Sequence, residues 1–150
     1  MPLKTYQKKR DFKKTPEPKG KVSRPSQKNP IFVVHEHWAS HHHFDFRLEI
    51  DGVLKSWAVP KTPPQTKTQK RLAVQVEDHP LEYAKFKGEI PNGLYGAGKV
   101  EIWDTGEILS LKSQPNLIEF ELKGKKLIGR YALVHPSKFE KKNWLLIKRD

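Results

Sequence analysis

Apolar and polar residues alternate in short runs along most of the chain beyond residue 30. In the stretch HEHWASHHHFDFRLEIDG, Phe44, Phe46, Leu48 and Ile50 fall on one face of an extended strand, and His43, Asp45 and Arg47 fall on the other. A strict period of two marks a half-buried strand. The run ends in Asp51-Gly52, and Val53 to Val59 returns, which predicts a β-hairpin with a tight turn. Further strands are expected at 31–34, 71–76, 100–103, 107–111, 117–122, 127–134 and 144–148. Between them lie a rigid loop at Pro60 to Pro64, one or two helical turns at 81–86 and a turn at Asp104 to Gly106. Short strands at near-regular spacing with almost no helix predict an all-β barrel or sandwich.

Composition changes the picture at one end of the chain. Only 35% of the 150 residues are hydrophobic, so part of the chain must be poor in core. That part is residues 1–30, where ten Lys or Arg face only Asp11 and Glu17. This arm carries +8 of the +12 formal net charge. An excess of this size favours a polyanion, and without an apolar run of membrane-spanning length that polyanion is expected to be nucleic acid rather than a bilayer. The plainer reading is a solubilising tail. Cys is absent, which excludes disulfides, thiolate metal sites and Cys nucleophiles. Charge at the N-terminus with no hydrophobic segment after it leads to the expectation of a cytoplasmic protein.

The chemistry concentrates on the polar face of the strand at 43–50. Five of the seven His lie between residues 35 and 43. Such a cluster by itself often means a solvated surface. His43, Asp45 and Arg47 on one strand face, with His37 six residues upstream, point further, because neutral imidazole and carboxylate suit a divalent transition metal. The loop GEIPNGLYGAGK lacks the Lys-Ser/Thr of a phosphate-binding P-loop and precedes a strand, so it reads as a tight β connection. Trp38, Trp57, Trp103 and Trp144 could stack on bases, but in a small β domain most of them are expected to be packing residues. His79, between Glu77 and Tyr83, is a weaker candidate on sequence alone.

The segments HEHWASHHHFDFRLEIDGVLKSWAVPK and RLAVQVEDHPLEYAKFKGEIPNGLYGAGKVEIWD, the closing WLLIKRD and the opening LKTYQKKRDFKKTPEPKG resemble the 3′-phosphoesterase domain of bacterial DNA ligase D and its free-standing relatives. The resemblance covers essentially the whole chain. With no polymerase or ligase domain beside it in this sequence, it implies a stand-alone member. The implied fold is a compact, closed or nearly closed β-barrel of about eight strands with a short helical segment. Residues 1–30 would be a partly flexible basic arm and residues 31–150 the catalytic barrel.

The implied activity removes 3′-terminal ribonucleotides and 3′-phosphates from DNA, leaving a 3′-hydroxyl for end joining. The implied cofactor is Mn2+ or another divalent transition metal such as Co2+ or Zn2+. By position, the resemblance makes His37, His43 and Asp45 the metal ligands and turns Arg47 toward the phosphate. It places His79 and Tyr83 in the active centre, with Lys61, Arg71 and Glu77 in support. Arg10, Asp11 and Glu17 would bind substrate for ribonucleotide removal. The chain departs from the commoner family pattern at His41 and His42, where less metal-like residues usually stand, and strand parity favours His43 over His42 as ligand. Expected partners are the 3′ ends of DNA or RNA-DNA primer-templates and a separate repair ligase and polymerase, with the protein itself a monomer.

In chemical terms a phosphate ester needs its equatorial charge neutralised, which a metal, Arg47 and Lys61 would supply, and its leaving oxygen stabilised, for which His79 is the candidate. Two rivals belong to other classes. A two-His, one-carboxylate set also serves non-haem iron oxygenases, but their distal His normally lies well downstream rather than six residues before, and oxoglutarate-dependent turnover would reveal one. A non-catalytic nucleic-acid-binding barrel would need only the arm and the Trp residues and would show no turnover with any metal.

Overall fold

The computed structural model describes residues 3–20 and 29–150. Nine strands follow one another: β1 (Ile31–Trp38), β2 (His42–Ile50), β3 (Val53–Val59), β4 (Lys70–His79), β5 (Gly88–Ile90), β6 (Gly98–Gln114), β7 (Leu117–Lys123), β8 (Ile128–Val134) and β9 (Asn143–Lys148). They pair in the order β1-β2-β3-β4-β9-β8-β7-β6, and β6 pairs back onto β1, so eight antiparallel strands close a barrel. Closure leaves the eight-stranded sheet no free edge. β5 is a ninth strand added to the start of β6. A short helix, α1 (Lys4–Lys8), precedes the barrel, and a 3-10 turn spans Leu81–Lys85. No helix among the described residues is long and apolar enough to cross a membrane.

The alternating residues read from the sequence fill the barrel. Phe32, Val34, Phe44, Phe46, Leu48, Trp57, Phe120, Tyr131, Leu133 and Leu146 pack in one buried cluster inside it. Trp57 and Trp144 meet edge to face there. Trp103 packs against the same cluster, whereas Trp38 stays substantially exposed. The predicted hairpin forms: β2 and β3 pair from Ile50↔Val53 outward, with Asp51 at φ 53° and Gly52 at φ 82°, the two left-handed positions of a type I′ turn.

The expected turn at Asp104 to Gly106 does not form, because β6 runs through it, pairing with β1 before and with β7 after. Both residues serve that continuity. A Cβ at Gly106 would stand 2.1 Å from the carbonyl oxygen of Lys123, so only glycine allows the close backbone approach there. The buried Asp104 carboxylate accepts three backbone N–H groups, from Lys125, Lys126 and Leu127, at 2.8–3.1 Å. It thereby satisfies donors in the turn between β7 and β8 that would otherwise be costly to bury.

The outward face of β1 to β4, expected to be wet, is covered. Residues 3–20 lie over it with the 3-10 turn, and Tyr6, Val33, Leu54, Tyr83, Phe86, Ile90 and Val100 form a second buried cluster outside the barrel wall. Leu3 and Tyr6 anchor the arm and are buried, and the Tyr6 hydroxyl donates to the Pro18 carbonyl. The basic arm therefore contributes apolar cover as well as charge. Its cations Lys21, Arg24 and Lys28 lie outside the described residues.

Candidate active site

The polar residues of the covered face converge because β1 and β2 are in register. His37 stands opposite His43 and His35 opposite Asp45, while Val33 opposes Arg47. Cross-strand neighbours on one face sit within side-chain reach. The Nδ1 of His37 lies 3.5 Å from Asp45 Oδ2, and the Nε2 of His43 lies 3.2 Å from Asp45 Oδ1. One donor atom from each of the three residues falls within 4.8 Å of the others.

The remaining imidazole nitrogens decide whether a cation fits. His37 Nε2–H donates to the Gly96 carbonyl at 2.7 Å, and His43 Nδ1–H donates to the His41 carbonyl at 2.8 Å. Each bond fixes the tautomer that aims the other nitrogen's lone pair at the common point, as outer partners do in metal centres. Two imidazole nitrogens and one carboxylate oxygen suit a divalent transition metal.

Arg47 organises the floor. Its Nε donates to His35 Nδ1 at 3.1 Å, its Nη1 reaches Ser56 Oγ at 2.9 Å and His79 Nδ1 at 3.2 Å, and its Nη2 lies 3.4 Å from Asp45 Oδ2. The ring of Tyr83 lies under the guanidinium, 4.9 Å away. His35 in turn donates its Nε2–H to the Phe86 carbonyl. A bulge in β4 opposite Leu54 and Ser56 shifts the register there and turns His79 inward, as bulges beside functional sites commonly do.

The arm supplies the opposite wall. Arg10 donates from Nε to Glu17 Oε2 at 2.9 Å, approaches Glu77 at 3.5 Å and His79 Nε2 at 3.4 Å, and stacks over Tyr6 at 4.0 Å. Glu17 also accepts from Thr15 and from the Tyr83 hydroxyl. A buried carboxylate in a basic arm thus serves to orient Arg10. Lys9 pairs with Glu77 at 3.1 Å. Together these groups and the loop carrying Tyr95 and Gly96 enclose a cavity of about 280 Å³.

Of the residues singled out in the sequence, His37, His43, Asp45, Arg47, Glu77, His79, Tyr83 and Arg10 line this cavity. Glu17 stands behind Arg10. The remaining three candidates lie apart from it. Asp11 is exposed, with its carboxylate accepting from the Lys13 backbone N–H. Lys61 is exposed, and Arg71 binds the Thr62 carbonyl and so braces the loop after β3. His42 turns to the other face, where it stacks on Trp38 and pairs with Glu36 at 2.8 Å.

Four contributors were not read from the sequence: His35, Ser56, Tyr95 and the Gly96 carbonyl. His35 shares the parity of His37 and could have been found from it. The others depend on tertiary placement.

Electrostatics follow from burial around these cations. Burial and then Arg47 push His35 down to about 3. Burial, Arg47 and Arg10 hold His79 well below the ordinary imidazole range. Burial opposes the charge of Asp45, yet Arg47, His37 and His43 hold its carboxyl well below the usual range. Burial lowers His43 as well, but Asp45 more than offsets this and holds its pKa above ordinary.

A pH prediction follows for the metal-free protein. Below about pH 6.5 an unfolded His79 takes up a proton that the folded one refuses, so stability is present above that pH and falls on acidification, by about 1.4 kcal/mol per pH unit for such a group. Melting in chelator from pH 7 down to pH 5 should show this loss. His79→Asn should lower the slope by about half, since His35, held down to about 3, contributes a like share, and an unchanged slope would show that His79 does not carry its part.

The sequence relationships agree with the site. A model of the family described as the DNA ligase D 3′-phosphoesterase domain matches residues 35–135. The chain belongs to this 3′-phosphoesterase family. The matched span begins at His35 and holds every cavity-lining residue except Arg10. The chain is 48% identical over 98% of its length to the multifunctional non-homologous end joining protein LigD of Pseudomonas aeruginosa. It is 48% identical over 88% of its length to the multifunctional non-homologous end joining DNA repair protein LigD of Mycobacterium tuberculosis, and 46% identical over 95% to LigD of Mycolicibacterium smegmatis. It spans only 18–20% of these relatives' own length. The phosphoesterase barrel is thus the shared part.

Proposed function

We propose that this phosphoesterase heals DNA 3′ ends, removing 3′-terminal ribonucleotides as a phosphodiesterase and 3′-phosphates as a phosphomonoesterase, in support of non-homologous end joining. The observation that carries the reading is one cavity that sets a two-His, one-carboxylate ligand set beside two buried guanidiniums. His37, His43 and Asp45 would hold Mn2+ or a similar ion, which when bound supplies Lewis-acid stabilisation of phosphate charge.

The chain's own residues then have distinct tasks. Arg47, its Nε and Nη1 held by His35, Ser56 and His79 and its plane resting on Tyr83, presents Nη2 to a phosphate oxygen. Arg10 adds a second cation from the arm, held by Glu17. In the free enzyme burial, and after it two guanidiniums, oppose the protonation of His79. An arriving phosphate offsets those cations and raises its proton affinity, which fits it to hydrogen-bond and then protonate a leaving oxygen. The enclosing arm limits water around these charges and strengthens each interaction.

Phosphate chemistry is favoured over an iron oxygenase by this cationic lining, since an oxygenase has no need of two guanidiniums against its ligand set. The test is incubation with manganese and a labelled primer-template ending in one ribonucleotide or in a 3′-phosphate. Shortened or dephosphorylated strands are expected. No product with any divalent metal would return the chain to the class of non-catalytic binding barrels.

The arm makes a further prediction. Deleting it would uncover the apolar cluster around Tyr6, so a point change is cleaner. Arg10→Gln should reduce ribonucleotide removal more than phosphate removal, because an internal diester must be held in register on both sides, whereas a terminal phosphate needs chiefly the metal and Arg47. Equal losses that low salt restores would show that Arg10 contributes only bulk charge.

A further inference from the structure

A second depression adjoins the active cavity, and the proposed activity makes no use of it. It is a groove of about 590 Å³ between the arm and the turn that precedes β9. Thr5 and Lys9 form one wall, Lys141 and Lys142 the other, and Lys55 with residues 74–78 of β4 the floor. Val76, Glu77 and Tyr95 line both the groove and the cavity, so the two are continuous.

The charges in the groove are unevenly matched. Lys9 pairs with Glu77, and Lys55 approaches Asp78 at 3.9 Å. Lys141 and Lys142 are exposed and have no carboxylate within ion-pair distance among the described residues. Two unmatched cations therefore stand in a trough that opens into the metal-ligand cavity. The turn carrying them is fixed in place by a 2.7 Å bond from the Gln75 N–H to the Lys142 carbonyl.

We infer that this groove holds the sugar-phosphate backbone of the strand that leads up to the 3′ end being processed, with Lys141 and Lys142 neutralising its phosphodiesters and Tyr95 marking the passage into the cavity. The occupant is a linear polyanion because the two unmatched cations stand on one wall of an open trough rather than in a closed pocket, and lysine contacts to phosphates hold a strand in place without reading its sequence. The inference rests on the 3′-end reading above, but its binding test does not require turnover.

The experiment measures fluorescence anisotropy of 3′-phosphorylated DNA single strands of increasing length, in chelator, with the full chain and with Lys141→Glu/Lys142→Glu. A control of equal charge change, Lys112→Glu/Lys123→Glu, lies on the distant strands β6 and β7. The wild-type chain should bind longer strands more tightly. The groove variant should lose that length-dependent gain, binding the longest strand about tenfold or more weakly, and its salt slope should fall by about 1.4 for two lost single-strand phosphate contacts. The distant control should keep the length dependence.

An unchanged length dependence in the groove variant, or an equal loss in the control, overturns the groove assignment. Manganese-dependent turnover, assayed separately on the same strands, distinguishes the two ideas. Loss of binding in the groove variant together with an inactive wild-type chain would retain the groove and sink the 3′-end activity. An active chain whose binding ignores Lys141 and Lys142 would do the reverse.

Discussion

Asp45→Asn is expected to abolish hydrolysis of both substrates while the chain stays folded. The substitution keeps the shape of the side chain and removes its charge, so the proposed ligand set loses its one anion. Metal affinity should drop about 100-fold or more, since even changes to outer partners of metal ligands cost about 10–100-fold. Manganese should raise the melting temperature of the wild-type chain and barely change that of the variant, because only a bound ligand shifts the folding equilibrium.

Asp45→Ala is a poorer test. It loses the same charge as the asparagine variant and in addition removes the oxygen that can still accept from Arg47, leaving a void beside the buried guanidinium. His37→Ala and His43→Ala should match Asp45→Asn in activity. His42→Ala should be mild, because His42 faces Glu36 and Trp38. His41→Ala should be mild too, because His41 offers only a backbone carbonyl, which alanine keeps. Near-normal turnover in Asp45→Asn, or a loss in His41→Ala or His42→Ala as deep as in His43→Ala, would refute the ligand set.

Arg47→Lys should be nearly as damaging. The guanidinium bonds His35 from Nε and both Ser56 and His79 from Nη1, and its Nη2 lies beside Asp45 at the same time. A single ammonium on a flexible stem cannot reproduce that fork. Removing a positioned donor for developing charge costs about 100- to 1000-fold in kcat, and the loss should appear in kcat on both substrates. Retention of activity within a few-fold of wild type would mean that Arg47 acts only as a point charge, or only as a structural partner of Asp45.

The face-by-face alternation of β2 was enough to separate the barrel core from the chemistry, and the Asp51-Gly52 turn was enough to pair β2 with β3. Strand parity also distinguished His43 from His42. What the alternation could not reveal is that the polar face is buried. That cover comes from residues 3–20, where Leu3, Tyr6 and Phe12 are scattered among lysines and look like part of a charged tail. Only the packing of Tyr6 and Phe12 with Tyr83 and Leu54 turns this segment into a lid. The glycine-rich loop presented a related difficulty: its role lies in one backbone carbonyl, that of Gly96, and a backbone carbonyl has no sequence signature. Lys61 and Arg71 were selected by resemblance alone, and neither lines the cavity.

Between the cluster inside the barrel and the residues that line the cavity stands a wall one backbone thick. Side chains on its inner surface can change size or shape without entering the reaction space, and those on its outer surface can change chemistry without loosening the interior. Robustness and catalytic character are therefore free to drift separately along alternate positions of the same strands. A library varying only Phe44, Phe46 and Leu48 should spread widely in melting temperature and narrowly in KM, whereas one varying His43, Asp45 and Arg47 should spread in activity as well as in stability, because Asp45 and Arg47 form a buried pair.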